Sequence, residues 1–208
     1  MSCNQILQYF PHLDFLQIEK IKELQSIYEH WNSNVNLISR KDFQFFYERH
    51  VLHSLSIVNL IDFKNESDVM DLGTGGGFPG IPLAIYFPKT NFFLVDSIKK
   101  KTNCLTNIVS ELGLSNVQVV NARAEEINQS FDFILSRAVA PISKLYKWSF
   151  DKINIDSKHE LKNGLICLKG GDLENELKSF NKNIKIFNIS DFFTEDFFET
   201  KKIVYCPC

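Results

Sequence analysis

The stretch Asp71-Leu72-Gly73-Thr74-Gly75-Gly76-Gly77-Phe78-Pro79-Gly80 constrains this chain more than any other segment. It holds five of the nine glycines and lies between two apolar runs, Val69-Met70 and Ile81 to Phe87. That is the layout of a strand, a glycine turn and a helix. Glycine lets backbone turn tightly and approach a ligand closely, because no Cβ stands in the way. Pro79 suits a first helical turn, where its missing N–H has no partner. The helix N-terminus that follows would present free N–H groups and a positive dipole end, suited to an anionic group.

The pattern around this loop sets the fold class. Strand-like runs occur at residues 68–72, 92–96, 117–121, 132–136 and 165–169, with helix-like segments near 80–87, 99–112, 141–152 and 172–180. Alternation of this kind predicts parallel strands joined by helical crossovers, hence an α/β, doubly wound, mostly parallel sheet. Residues 185–189 and 201–205 read as strands without a helix between them, which predicts a closing antiparallel C-terminal hairpin. The first third reads as helical. Leu16, Ile18, Ile21, Leu24, Ile27, Tyr28 and Trp31 recur near a 3.6 period over residues 15–35, with Asp14 as N-cap and residues 32–36 as the stop. A second helix is expected over 42–60, with Phe45, Phe46, Val51, Leu52, Leu55 and Val58 inward. The polar break Lys64-Asn65-Glu66-Ser67 divides an N-terminal helical segment, 1–66, from a sheet domain, 67–208.

Composition narrows the function classes. A formal charge of −2 excludes a globally basic nucleic-acid binder but leaves room for a local basic face. The chain has no apolar run of 18 residues, and Met1-Ser2-Cys3-Asn4-Gln5 has no basic leader region, so a cytoplasmic protein without a membrane span is expected. Five scattered cysteines, an odd number, argue against a disulfide framework. Cys206-Pro207-Cys208 reads as a reduced, frayed terminus rather than a metal grip, and no metal is expected.

Two cofactor classes compete for the loop. Gly75, Gly77 and Gly80 match the G-x-G-x-x-G spacing of dinucleotide sites, and Asp96, ending the second strand, lies at the distance expected of a ribose-binding acid. However, the loop begins at Gly73 directly after Asp71-Leu72, and an acid ahead of G-x-G-x-G looks like the S-adenosylmethionine loop of class I methyltransferases. No tyrosine has lysine four residues later, which removes the short-chain reductase pattern. The methyl donor is therefore favoured.

Beyond the class, the chain resembles one family over nearly its full length: the bacterial 16S ribosomal RNA guanine-N7 methyltransferases, RsmG or GidB (glucose-inhibited division protein B). The resemblance rests on Tyr28-Glu29-His30-Trp31-Asn32 with Val35-Asn36-Leu37, Arg49-His50 with Ser54, Asp71 to Pro82, and Val95-Asp96-Ser97 with Lys100. Arg123-Ala124-Glu125-Glu126, Ser136-Arg137-Ala138 and Leu168-Lys169-Gly170 complete the series. Each block is weak alone; their joint order and spacing is specific. One position departs: His53 stands where the family often has aspartate, and we read it as a packing or helix-surface residue.

The resemblance implies a class I methyltransferase fold with an N-terminal helical extension, acting on N7 of a guanine in the decoding-region loop of 16S rRNA within the small ribosomal subunit. It implies S-adenosyl-L-methionine contacts at Gly73, Phe78, Ala124, Glu125 and Arg137, to which the loop and second strand add Gly75, Gly77 and Asp96. Arg137, after the fourth strand and nearest the reacting methyl, is the candidate catalytic residue, pairing with the cofactor carboxylate or an RNA phosphate. Candidate RNA contacts are Arg49, His50, Lys100 and Lys169. N7 carries a free lone pair, so no general base is required and positioning should carry the rate. A looped-out guanine stacked on an aromatic ring is expected. A monomer is expected. The alternatives are a methyltransferase of the same fold acting on a small molecule or protein, and a non-enzymatic ribosome-assembly factor.

Overall fold

The computed structural model describes residues 3–33, 35–178 and 180–208. Met1, Ser2, Asn34 and Ser179 lie outside the described residues, so the helix stop at 32–36 and the close of the segment at 172–180 are seen only in part.

Helix α1 (Cys3–Tyr9) precedes α2 (Phe15–Asn32), which starts where Asp14 accepts the Gln17 N–H at 2.9 Å while the Gln17 side chain returns the bond to Asp14. α2 buries Ile21, Leu24, Ile27 and Tyr28, whereas Leu16 is 67% exposed, so the apolar stripe begins one turn later than its period suggests. The second expected helix is broken. It runs as α3 (Arg40–Phe43), a π-helical turn (Phe46–Leu52), α4 (His53–Leu55) and a 3-10 turn (Ser56–Asn59). Ser39 caps α3 through Asp42, and Phe45 has left the helical region with φ −109° and ψ 29°, which ends the first piece.

The sheet then forms from β1 (Asp68–Leu72), β2 (Asn91–Asp96), β3 (Val117–Asn121), β4 (Phe133–Arg137), β5 (Gly164–Gly170), β6 (Lys185–Asn188) and β7 (Lys201–Pro207). The crossovers are α5 (Gly80–Tyr86), α6 (Lys99–Glu111), α7 (Ile142–Ser149) and α8 (Glu174–Leu177). α8 is only four residues, shorter than the segment expected there. Strand order is β3-β2-β1-β4-β5-β7-β6, parallel throughout except for β7, which runs antiparallel to β5 and β6. The strand order switches sides between the parallel neighbours β1 and β4, so the carboxyl ends of both open a crevice at that point. Ser136 ties the two strands there, its hydroxyl donating to the Leu72 carbonyl at 3.0 Å.

β1 shows how period two serves both faces. Val69 packs into the apolar cluster shared with α2 and the π-helical turn, while Met70 and Leu72 pack into the cluster under α7. The first cluster joins residues of the N-terminal segment to residues of the sheet without a break. The C-terminus is not frayed: β7 extends through Cys206, which is buried, to Pro207, because pairing with β5 satisfies its backbone. All five cysteines are free, with Cys104, Cys167 and Cys206 buried as small apolar side chains.

Candidate active site

A cleft of about 1130 Å³ opens at the carboxyl ends of β1, β2 and β4. Its floor is the glycine loop. Gly73 has φ +69°, and a Cβ there would sit 2.6 Å from a methyl of Val139, so both conformation and space demand glycine. At Gly75 a Cβ would meet only the Gly73 carbonyl and Lys101, at 3.8 and 4.0 Å, so bare backbone faces the cleft. Gly77 differs from expectation. It does not line the cleft, and a Cβ there would strike Ile81, the Tyr28 hydroxyl and Leu105; it is glycine so that α2 and α6 can close on the loop.

Asp71 and Asp96 hold this loop from two sides. Asp71 is fully buried, and one carboxylate oxygen accepts from the Gly80 N–H at 2.9 Å and the Thr74 hydroxyl at 2.7 Å. Its other oxygen is buried without a partner, and burial pushes its pKa up to about 6. The expected anion site at the start of α5 is therefore absent. The Gly80 N–H is already spent on a carboxylate and the Ile81 N–H on the Gly77 carbonyl, so a pyrophosphate would meet a negative charge where it needs donors. Asp96 accepts from the Gly75 N–H at 2.9 Å and the Ile98 N–H at 2.8 Å. It lines the cleft with spare lone pairs, but its first task is to shape the loop.

The N-terminal segment completes the loop. Tyr28, fully buried, donates to the Gly76 carbonyl at 2.7 Å, and burial pushes its hydroxyl pKa well up. Asn32 accepts the N–H groups of Leu37 and Ile38 at 2.8 and 2.9 Å and donates to the Ile38 carbonyl, which sets the Leu37 carbonyl against Gly76. The Phe78 ring is enclosed by Tyr28, Phe46 and His50 at centroid distances of 5.0, 5.9 and 5.2 Å.

Arg137, half-buried at the end of β4, faces this aromatic group with its guanidinium carbon 5.0 Å from the Phe78 centroid. It donates to the Arg49 carbonyl and to His50 Nδ1, each at 3.2 Å, clasping the π-helical turn to the sheet. These bonds use two of the five N–H donors of a guanidinium. Burial pushes its pKa down to about 10, which leaves it charged at neutral pH. Burial and the Arg137 charge together push His50 down to about 3, so its ring is neutral, with Nδ1 as acceptor and Nε2 buried without a partner. His53 is buried against Phe197 and Phe198, its pKa driven well down by burial: it is a packing residue of the cleft wall.

The remaining expected residues divide. Ala124, buried, and Glu125, exposed, line the cleft after β3. Lys169 reaches the cleft but is committed, donating to the Ala140 carbonyl at 2.6 Å and to Glu176 at 2.8 Å, so it is no free phosphate contact. Arg49 is likewise engaged, paired with Asp42 at 2.9 Å and stacked 3.8 Å over Phe45, and does not line the cleft. Lys100 points to solvent; its neighbour Lys101 lines the cleft instead. Val139, Trp148 and Ile98, the last 49% exposed, also line the cleft wall. No short-range pattern flags them, because they reach the cleft only through the sheet order. Among the described residues no group of three or more His, Cys, Asp or Glu side chains is placed to hold a metal ion.

Solved structures share this architecture. A S-adenosylmethionine-dependent methyltransferase from Aquifex aeolicus superposes with a TM-score of 0.56 at 16% identity, covering 81% of this chain and 98% of that one. Closer in sequence is a protein of Flavobacterium psychrophilum named ribosomal RNA small subunit methyltransferase G, 50% identical over 204 residues, covering 98% of this chain and 97% of the relative. A Bacteroides fragilis protein of the same name is 52% identical over 200 residues, covering 96% and 97%. The family GidB, described as rRNA small subunit methyltransferase G, matches residues 17–204, and with this class I sheet and its glycine cleft the chain belongs to that family.

Proposed function

We propose that this protein is an S-adenosylmethionine-dependent methyltransferase that modifies 16S rRNA of the small ribosomal subunit, at N7 of a guanine in the decoding-region loop. The observation that carries the donor assignment is the loop itself: a left-handed turn at Gly73 and open backbone at Gly75, held from behind by a buried carboxylate with one unsatisfied oxygen. That set suits a cationic amino-acid moiety and repels a pyrophosphate. Gly73, Gly75 and Phe78 would hold the methionine part, Asp96 the ribose, and Ala124 with Glu125 the adenine edge. Bound there, S-adenosylmethionine supplies an electrophilic methyl on a sulfonium and leaves as the neutral thioether.

The chain's own work is placement. Guanine N7 offers its lone pair without losing a proton, so no residue need act as base. Orientation of this kind can supply roughly 7–11 kcal/mol of the barrier. The methylated base gains positive charge, so Arg137 would oppose rather than stabilise it. Its role is to hold an anion, the donor carboxylate or an RNA phosphate, while clasping the N-terminal segment. Residues 1–66 act as a helical segment packed on a 67–208 methyltransferase domain, and the unit is a monomer in the cytoplasm. Among the described residues no helix is long and apolar enough to cross a membrane.

The test is methyl incorporation from labelled S-adenosylmethionine into small ribosomal subunits lacking the modification, with borohydride–aniline cleavage to map the product. Labelling of one 16S guanine with new chain cleavage is expected. Absence of incorporation refutes the substrate, and label without cleavage refutes N7.

A further inference from the structure

Two aromatic rings besides the histidines line the cleft, Phe78 and Trp148. The faces of Phe78 are taken by Tyr28, Phe46, His50 and Arg137, and its residue is 2% exposed. Trp148 is half-buried on α7, and its indole N–H meets no hydrogen-bond acceptor among the described residues. α7 buries Ile142, Leu145 and Ser149 and turns Lys144, Lys147 and Trp148 outward on one face. The four-residue spacing brings the Lys144 ammonium 4.8 Å from the indole centroid. Neither Lys144 nor Lys147 has a carboxylate partner among the described residues, and Lys101 and Arg123 line the cleft on the β2–β3 side. The indole packs against the apolar cluster under α7 and carries the Lys144 ammonium over its ring, at the mouth of a cleft lined by further cations. Single-stranded nucleic acid uses such a surface: a base that stacks on the ring displaces the ammonium, which then meets the adjoining phosphate.

We propose that Trp148 is the platform on which a base of the RNA substrate stacks as it enters the cleft, with Lys144 taking the adjoining phosphate. This rests on the rRNA methyltransferase reading. It names the aromatic that the sequence could not, and it moves the RNA-facing charge from Arg49 and Lys169, which are engaged internally, to α7.

The chain has two tryptophans, so in a Trp31→Phe background Trp148 is the sole tryptophan emitter. Its fluorescence should quench on saturation with small ribosomal subunits or with the RNA loop, and an unchanged spectrum overturns the proposal. Trp148→Ala should lower kcat/KM for the RNA roughly 10- to 100-fold, the range of one lost stacking contact. Its S-adenosylmethionine affinity by calorimetry should stay at the wild-type value, which establishes that the cleft is folded. Trp148→Phe should recover most of the activity because a phenyl ring also stacks. Wild-type turnover in Trp148→Ala, or Trp148→Phe no better than Trp148→Ala, overturns the platform. Lys144→Ala should flatten the salt dependence of RNA binding by about one phosphate contact. Methylation by the wild-type chain separates the two readings: its absence refutes the rRNA assignment, whereas its presence with an indifferent Trp148 refutes only the platform.

Discussion

Tyr28→Phe tests whether the N-terminal segment shapes the donor loop or merely covers it. The substitution removes one atom, the hydroxyl that donates to the Gly76 carbonyl at 2.7 Å in a fully buried setting. The ring stays, so its contacts with Phe46 and Phe78 persist. A buried hydrogen bond contributes about 1 kcal/mol, and an acceptor left unsatisfied costs about 1–3 kcal/mol. Gly76 is buried against the Leu37 carbonyl, leaving little room for water to replace the hydroxyl. A net loss of about 1.5 kcal/mol follows, which for a chain of this size lowers Tm by roughly 3–6 °C. The loop also gains freedom that donor binding must remove, so the Kd for S-adenosylmethionine should rise by up to about tenfold, the factor that corresponds to roughly 1.4 kcal/mol. Differential scanning calorimetry and isothermal titration read the two effects separately. A Tyr28→Phe protein with wild-type Tm and Kd would refute the claim that α2 anchors the loop. A lower Tm with wild-type Kd would confine its role to stability.

Further outcomes follow from the same geometry. Gly73→Ala forces a left-handed backbone costing about 1–2 kcal/mol and drives a Cβ into Val139, so donor affinity should fall at least about tenfold; the double variant with Val139→Ala should recover part of it, and no recovery would refute the clash. Arg137→Lys removes a fork that bonds Arg49 and His50 at once, which a single ammonium cannot reproduce; kcat/KM should fall more than about tenfold, and full activity would remove Arg137 from the site. Donor affinity should weaken as pH falls through about 6, because Asp71 then takes a proton and holds the Gly80 N–H and the Thr74 hydroxyl less firmly, which loosens the loop; equal Kd at pH 5 and pH 8 refutes that role. Stability has two opposed contributions. His50, about 3 when folded against a usual value of 6.5, leaves the unfolded chain binding more protons between those values, so stability is lost as pH falls; buried His53 adds the same sign. Asp71, raised from 3.8 to about 6, works the other way within its own narrower window. The net expectation in a pH-dependent melt is a fall in Tm from pH 6.5 downward, and a rise would refute the buried neutral histidines.

The sequence by itself determined the elements of the sheet and the glycine loop between β1 and α5. Strand-like runs, an acid before G-x-G-x-G and an acid ending the next strand are local patterns, and local patterns survive without tertiary information. It likewise placed Asp14 as a cap, since a capping box spans only four residues. What the tertiary structure decided was what each side chain does once strands from distant parts of the chain become neighbours. Asp71 turned out to spend itself on Gly80 and Thr74. Gly77 proved to be a packing glycine, and Lys169 and Arg49 were drawn into pairs with Glu176 and Asp42. The helix expected over 42–60 is broken at Phe45, and its π-helical turn is met by Arg137 at the end of β4 and by Phe78 of the glycine loop. Trp148 became visible only when the switch in strand order between β1 and β4 carried α7 to the edge of the glycine loop. Periodicity reports which face of an element is apolar; it carries no information about which partner occupies a charge or which ring is left open, because those depend on contacts between residues far apart in the chain.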